Sequence, residues 1–227
     1  SSYYTPSYDY SLPESLEEIT ATGSRLTASA FENCRTLPKI TVCDSVKEIG
    51  SAAFANCAAL TDVTLPENLT VIPEKAFAGC KALTSLRVPE GVTLIGEHAF
   101  ENCAALTELV LPDGLTEIGN AAFSGCAALT ELTVPDGIAA IPTGAFSGSG
   151  LQSVRIPSSV AEIGSSAFGR CDALTDVYYD GHRAAWSDIQ KNTDNRPLEY
   201  ALIHCSGAHE HSFDDGMITR LPTCSKQ

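Results

Sequence analysis

The feature that most constrains the fold of this chain is an internal repeat of 23 residues. A phenylalanine marks each unit, at steps of 23 residues and a single step of 22: Phe31, Phe54, Phe77, Phe100, Phe123, Phe146 and Phe168. Around it, each unit reads roughly L-x-x-[VL]-x-[LVI]-P-x-x-[LVI]-x-x-I-[GP]-x-x-A-F-x-[NG]-C. Repeats of this kind indicate a solenoid, because one unit cannot bury its own apolar face and must stack against its neighbours.

The unit that contains Phe77 shows which local structures the pattern favours. Val63–Leu65 alternates between outward and inward positions, which predicts a short strand with one buried face. Pro66 follows and ends the strand, because proline has no N–H to donate to a ladder. Ile72, Ala76 and Phe77 are spaced to lie on one face of a short helical turn. Each unit is therefore expected to contribute one strand and one helical turn.

The residue before the repeated cysteine position indicates how each turn ends. Glycine and asparagine tolerate the left-handed conformation that closes a helical turn, and they predominate there. Arg170 is the exception in the set, which is Asn33, Asn56, Gly79, Asn102, Gly125, Gly148 and Arg170. We therefore predict a left-handed residue at this point of every unit.

The stretch "LPENLTVIPEKAFAGCKALTSLRVP" and its six relatives resemble the BspA-like subclass of the leucine-rich-repeat family, which consists of bacterial surface proteins. The resemblance covers about Leu12 to Tyr179. It implies an α/β solenoid that winds as a right-handed superhelix. In such a solenoid a parallel β-sheet lines the concave side and short helical turns line the convex side.

Four segments are expected along the chain. Residues 1–11 are predicted to be an N-terminal linker, and residues 12–179 to be the solenoid of about seven repeats with its N-terminal cap. Residues 180–206 are predicted to be a C-terminal cap with a helix at Arg183–Ile189, a strand at Ala201–His204 and Trp186 covering the last unit. Residues 207–227 are expected to be a linker or the start of a truncated downstream module.

Six of the nine cysteines share one place in the repeat: Cys34, Cys57, Cys80, Cys103, Cys126 and Cys171. Sulfurs on one zinc ion lie within about 4.6 Å of each other, whereas four successive units spread over about 14 Å, which excludes a shared zinc site. A disulfide between neighbouring units has an allowed Cα separation, but parallel side chains rarely reach the required torsion. We favour small buried hydrophobes with weak S–H donors.

Two further metal hypotheses rest on spacing alone. His204, Cys205, His209 and His211 could form a site near the C-terminal end, although a truncated linker is the favoured interpretation. A calcium ion could bridge neighbours in a column of carboxylates that follows the strands, although turn preference and solubility explain the column more simply. The column is Asp44, Glu67, Glu90, Asp113 and Asp136. We therefore expect neither a metal nor a cofactor.

Charge and motifs exclude several classes of function. The net charge is −14, which argues against a surface that neutralises nucleic-acid phosphates. The sequence has no apolar run of 18 residues, so insertion into a membrane is not expected. It also has no glycine-rich phosphate loop, no G-x-S-x-G and no H-E-x-x-H, and we expect no enzymatic activity.

The repeat fixes which side chains point out of the strands on the concave side. Arginine and tyrosine are enriched among the residues that anchor interfaces, so Arg87, Arg155 and Tyr178 are the strongest candidates. The full candidate ligand-binding set adds their neighbours on the same surface: Arg87, Glu108, Val110, Glu131, Thr133, Arg155 and Tyr178.

The resemblance implies a secreted or surface-attached module that recognises other macromolecules without catalysis. Relatives of this type are implicated in adhesion, so a host matrix protein or a bacterial surface protein is the expected partner, bound by a monomer. The alternative is a rigid spacer within a larger surface protein. Binding of a glycan is a third hypothesis, disfavoured because sugars stack on exposed aromatic rings and the concave face offers only Tyr178.

Overall fold

A computed structural model describes residues 17–206 of the chain. The described part is a solenoid of parallel strands with little helix, built around two hydrogen-bonded ladders. The predictions for the linker at 1–11, for the start of the array at 12–16 and for the segment 207–227 lie outside the described residues, as do those for His209 and His211.

The main ladder takes one strand from each unit, at the place where the sequence predicts strands. Where its members pair, they pair in parallel, and equivalent residues of successive units stand side by side, as Lys39 does with Asp62. The strands are β1 (Glu18–Ala21), β3 (Lys39–Val42), β5 (Asp62–Thr64), β7 (Ser85–Arg87), β9 (Glu108–Val110), β11 (Glu131–Thr133), β13 (Ser153–Ile156), β15 (Asp176–Tyr179) and β17 (Leu202–Cys205). The predicted parallel sheet is therefore confirmed.

A second ladder of two-residue strands runs along the array. Six of its eight strands contain the isoleucine that the sequence pattern places in a helical turn. The strands pair in parallel within three separate groups. They are β2 (Arg25–Leu26), β4 (Glu48–Ile49), β6 (Val71–Ile72), β8 (Leu94–Ile95), β10 (Glu117–Ile118), β12 (Ala140–Ile141), β14 (Glu162–Ile163) and β16 (Gln190–Lys191).

The segment between each short strand and the cysteine position forms turns, and the predicted helical turns are absent from the described repeats. The hydrogen bonds explain the difference. The N–H of Phe54 donates to the carbonyl of Ala76 in the next unit at 2.9 Å, and Phe77 donates to Ala99 at 2.8 Å. An N–H that bonds to a neighbouring unit cannot bond within its own turn, so the backbone leaves the helical conformation. The handedness of the superhelix and its concave side stay predictions.

Two backbone positions per unit are left-handed. The position before each cysteine is confirmed as left-handed, with φ between 58° and 74°, and this includes Arg170. A second column, which the sequence pattern did not reveal, lies two residues before each phenylalanine at φ between 52° and 65°. Only one of its members is a glycine; the column is Ser29, Ala52, Lys75, His98, Ala121, Gly144 and Ser166.

The core is a continuous stack of the repeated phenylalanines. Neighbouring ring centroids lie 5.1 to 5.7 Å apart along the whole stack. The rings from Phe54 to Phe168 are fully buried, whereas Phe31 at the start of the array is half-buried. Burial of a large aromatic side chain is a main source of hydrophobic stabilisation, so the stack holds the units together.

The cysteine position is structural, as the sequence predicts. The thiol of Cys80 donates to the carbonyl of Phe54 in the preceding unit at 3.1 Å, and the same bond recurs along the array at 3.0 to 3.3 Å. Ser149 takes the place of a cysteine in one unit, and its hydroxyl lies 3.3 Å from the Cys171 sulfur. Burial raises the pKa of the Cys126 thiol to about 12, which keeps it protonated as a donor. None of Cys34, Cys43, Cys57, Cys80, Cys103, Cys126 or Cys171 forms a disulfide.

The cap extends both ladders and covers the last phenylalanine. It contains the predicted helix as α1 (Arg183–Asp188), a second short helix, α2 (Pro197–Tyr200), and the last strand of each ladder, β16 and β17. Trp186 is buried, as predicted, and its ring lies 5.4 Å from that of Tyr179. The Oδ1 atom of Asn195 accepts the N–H of Phe168 at 2.9 Å. This side chain therefore replaces the carbonyl that a further unit would supply.

Candidate functional site

The side chains that point out of the main ladder form one surface, which we call the open face. The predicted alternation is confirmed, because the outward residues of β7, β9 and β11 are exposed and the central residues are buried or half-buried. All members of the candidate set are exposed on this surface: Arg87, Glu108, Val110, Glu131, Thr133, Arg155 and Tyr178.

The open face has two interruptions in its strand pairing. Among the described residues no ladder pairing joins β5 to β7 and none joins β9 to β11, whereas β7 pairs with β9 and β11 pairs with β13. Apolar side chains are more exposed at the second interruption, between β9 and β11. Leu109 and Leu111 are half-buried there, although the equivalent Leu86 and Val88 of the preceding unit are only 4% and 1% exposed. Val110, between the two leucines, is 58% exposed. The interruption therefore exposes apolar surface in the middle of a polar face.

A shallow depression of about 580 Å³ lies at this interruption, and we call it the sheet depression. It brings together five of the candidate residues: Val110, Glu131, Thr133, Arg155 and Tyr178. Arg87 and Glu108 do not line it. Arg87 is nonetheless adjacent, since it pairs in register with Val110, and its Nη2 lies 3.4 Å from the Glu90 carboxylate.

Arg155 is held in place by an acidic residue that follows the next strand. Its Nε donates to Oδ2 of Asp180 at 2.9 Å, and its Nη2 donates to Oδ1 of the same carboxylate. A guanidinium has five N–H donors, so the fork fixes the group and leaves donors for another ligand. The pairing reduces the conformational freedom that Arg155 would lose on binding.

Tyr178 is also fixed by a neighbour, the imidazole of His204 on β17. The two rings stack with centroids 4.6 Å apart and planes 12° apart, while Tyr178 remains 42% exposed. His204 Nε2 lies 2.8 Å from Oδ1 of Asp176, and the Thr175 hydroxyl donates to Oδ2 at 2.7 Å. Those hydrogen bonds, led by that from His204, hold the pKa of Asp176 below its ordinary value.

The sequence pattern missed the residues that fix these two anchors. Asp180 takes the place that Pro157 has in the preceding unit, so the change of residue type was a usable signal. His204 could have been found from the predicted last strand, because that strand continues the register of Tyr178. The half-buried Leu109 and Leu111 gave no signal, since their unit follows the same pattern as the others.

Comparison with known proteins identifies the family of the array. The sequence profile described as the BspA-type leucine-rich-repeat region matches the chain in six copies, over residues 6–126 and 94–192. The chain belongs to the BspA-type leucine-rich-repeat family. No curated protein sequence matches it.

Solved structures of bacterial leucine-rich-repeat proteins share the fold of this BspA-type chain. A leucine-rich-repeat protein of T. pallidum, TpLRR, is 28% identical with a TM-score of 0.66, and the match covers 71% of this chain and 79% of that protein. A leucine-rich-repeat protein of Bacteroides ovatus is 20% identical with a TM-score of 0.56, over 83% of this chain and 62% of its own. At 20% identity, the similarity to the Bacteroides ovatus protein shows a shared fold alone.

The described part of this BspA-type chain has neither a grouped set of metal ligands nor a helix that could span a membrane. Within residues 17–206, no three histidine, cysteine or acidic side chains are grouped to hold a metal ion. Asp44 of the carboxylate column accepts the backbone N–H of Glu67 at 3.3 Å, and the calcium bridge remains a hypothesis. No helix in the same range has the length and apolar character needed to span a bilayer.

Proposed function

We propose that this chain is a non-catalytic recognition module that binds a protein partner through the sheet depression of its open face. The observation that carries the proposal is the exposure of Val110, with half-buried Leu109 and Leu111 beside it, at the interruption between β9 and β11. An apolar centre with a charged rim is the common composition of protein interfaces.

The rim supplies the residue types that anchor such interfaces. Arg155 and Tyr178 lie on one side of the depression and are held by Asp180 and His204 before any partner arrives. Residues fixed in this way lose little side-chain entropy on binding, which favours their use as anchors. Arg87, Glu108, Glu131 and Thr133 extend the proposed surface.

Membership of the family supports a proposed partner and a proposed location. BspA-like proteins are bacterial surface proteins implicated in adhesion, so we place this chain outside the cell, secreted or attached to the surface. The partner is then a host matrix protein or a protein on another bacterium. We keep the segmentation expected from the sequence, with an array at 12–179 and a cap at 180–206, and propose that the two act together as one binding module.

Binding of the chain to immobilised host matrix proteins and to whole bacterial cells tests the proposal. Val110→Glu places a charge in the apolar centre and should weaken binding by about tenfold or more, since each 1.4 kcal/mol is a factor of ten. Val71→Glu is the matched control, because Val71 is an exposed valine of the second ladder, at 38%. Equal loss in both variants, or none in Val110→Glu, would contradict the assignment of the sheet depression.

A rigid spacer is the second candidate function, favoured by the uninterrupted phenylalanine stack from Phe31 to Phe168. A spacer requires stiffness and no partner of its own. Failure of the parent chain to bind any probe at tens of micromolar would favour this function over recognition.

A further inference from the structure

A second depression lies at the junction between the last repeat and the cap, and we call it the junction depression. Its volume is about 670 Å³, and it is formed by turns around Gly169 and Leu174 and by the cap segment from Asp194 to Tyr200. None of its lining residues belongs to a strand of the main ladder, so it is separate from the open face. Its volume is in the range of about 300–1,000 Å³ that is usual for small-ligand sites.

Four charged side chains line the junction depression without neutralising each other. Arg170, Asp172, Asp194 and Arg196 are all exposed, and none forms an ion pair within 4.0 Å in the described part of the chain. Guanidinium and carboxylate groups are planar and can each bond to two adjacent hydroxyls, one type as donor and the other as acceptor. The lining therefore contains two side chains that donate hydrogen bonds and two that accept them.

Arg170 occupies a backbone position where the other units use glycine or asparagine. Its φ is 58°, a conformation that disfavours a long side chain. The side chain is exposed and serves no packing role in the core. Residues kept in a disfavoured conformation are concentrated at functional sites, and Arg170 is one of the residues that line the junction depression.

Tyr200 adds the most exposed large hydrophobic side chain in the described part of the chain, at 75%. It lines the junction depression together with Arg196, four residues earlier in the chain. An exposed tyrosine offers an apolar ring and a polar hydroxyl to a ligand that has both characters. The apolar C–H face of a sugar ring beside its hydroxyls is such a ligand.

The wall of the junction depression is built before any ligand binds. Buried Asn195, between Asp194 and Arg196, accepts the N–H of Phe168 and donates to the carbonyl of Gly164 at 2.8 Å. Ser166, also in the lining, donates its N–H to the carbonyl of Thr193 at 2.8 Å. The cap segment is therefore fixed to the last repeat, and the charged side chains start from a rigid backbone.

We propose that the junction depression binds a neutral saccharide unit of a glycan, with Tyr200 against the sugar ring and with Arg170, Arg196, Asp172 and Asp194 bonded to its hydroxyls. The equal numbers of basic and acidic groups favour an uncharged ligand. The net charge of −14 acts in the same direction, because it repels anionic sugars at long range. This site is independent of the protein-binding surface proposed for the open face.

The proposal is tested by titrating sugars into the intact chain and detecting their binding by saturation-transfer NMR. The probes are lactose, cellobiose, maltose and N,N′-diacetylchitobiose, with glucuronic acid as the charged comparison. We expect saturable binding of at least one neutral probe. Tyr200→Ala should weaken it by about tenfold, the ratio that corresponds to loss of one good contact. Arg25→Ala, which changes an exposed arginine of β2 far along the array from the cap, should leave the affinity unchanged.

Arg170→Gly separates binding from folding. Glycine suits a φ of 58°, so this variant should melt no lower than the parent while its affinity for the neutral probe falls about tenfold. Parent-like affinity in both Arg170→Gly and Tyr200→Ala overturns the proposal. It is also overturned if no neutral probe gives a saturable signal, or if glucuronic acid binds more tightly than every neutral probe.

Discussion

The middle repeats and the C-terminal cap provide a hydrogen-bond acceptor for the N–H of the repeated phenylalanine in different ways. In the middle of the array, the N–H of Phe77 bonds to the carbonyl of Ala99, and every unit supplies the same bond to the one before it. In the cap, one asparagine side chain, Asn195, supplies that bond to Phe168. The comparison teaches that the array divides its stability among equivalent positions, whereas the cap concentrates its stability in residues used once.

The largest expected effect comes from removing a ring in the middle of the stack. Phe100→Ala should lower the free energy of unfolding by about 3–5 kcal/mol, because it opens a cavity between two neighbouring rings. Phe31→Ala, at the half-buried start of the array, should cost clearly less. Urea denaturation followed by circular dichroism measures both. Equal losses would mean that position along the stack has no influence on stability.

The second effect is confined to the cap. Asn195→Ala leaves the N–H of Phe168 and the carbonyl of Gly164 without their side-chain partner, and should cost about 2–3 kcal/mol. Hydrogen exchange should show lost protection in the cap and the last repeat first. The control is Asn120→Ala, an exposed asparagine that bonds to Glu97 at 3.0 Å and should change stability little. Uniform loss of protection along the array would contradict a separate role for the cap.

The third effect depends on alkaline pH. Burial raises the pKa of Cys126 from 9.0 to about 12, so the thiol stabilises the folded chain fully below pH 9 and progressively less as pH rises from 9 to 12. At pH 10 the unfolded thiol is mostly ionised and the folded thiol is not, which lowers the stability by about 1.4 kcal/mol relative to pH 7. The free energy of unfolding of Cys126→Ser should therefore fall less between pH 7 and pH 10 than that of the parent. Chemical denaturation at the two pH values measures the difference. Identical pH dependence in parent and variant would show that Cys126 does not titrate in this way.

The smallest effect concerns the left-handed column that the repeats share. Ala121 has φ of 52°, so Ala121→Gly should raise the free energy of unfolding by about 0.5 kcal/mol, because the relief of strain exceeds the entropy cost of glycine. Ala139 is exposed and has no positive φ, and Ala139→Gly should lower stability by a similar amount. Thermal melting distinguishes the two. A decrease in both variants would contradict strain at Ala121.

Sequence periodicity was sufficient to predict the features that are determined within a single repeat and recur in every copy. The phenylalanine stack, the main strands and the left-handed position at Asn56 all follow from residue type at a fixed spacing. The helical turn was wrong because the fate of the Phe54 N–H depends on the carbonyl of Ala76 in another unit. A pattern read within one unit contains no information on that competition.

The candidate sites depend still more on what lies next to each residue. The outward direction of Arg155 and Tyr178 was predictable from alternation, but the partners Asp180 and His204 come from the end of the array, where the repeat stops. Tyr200 was not predicted as a binding residue, since no repeat marks its position. Departures from the repeat, such as Arg170 and Asp180, are therefore the most useful sequence signals for function in this chain.

The role of Asn195 also has a consequence for biosynthesis. A chain made from its N-terminus can complete each unit only when the next unit has been added, since Phe54 depends on Ala76 and Phe77 on Ala99. The N–H of Phe168 consequently has no partner until residue 195 has been made. The order of translation thus keeps one edge of the growing array open to solvent until the cap closes it.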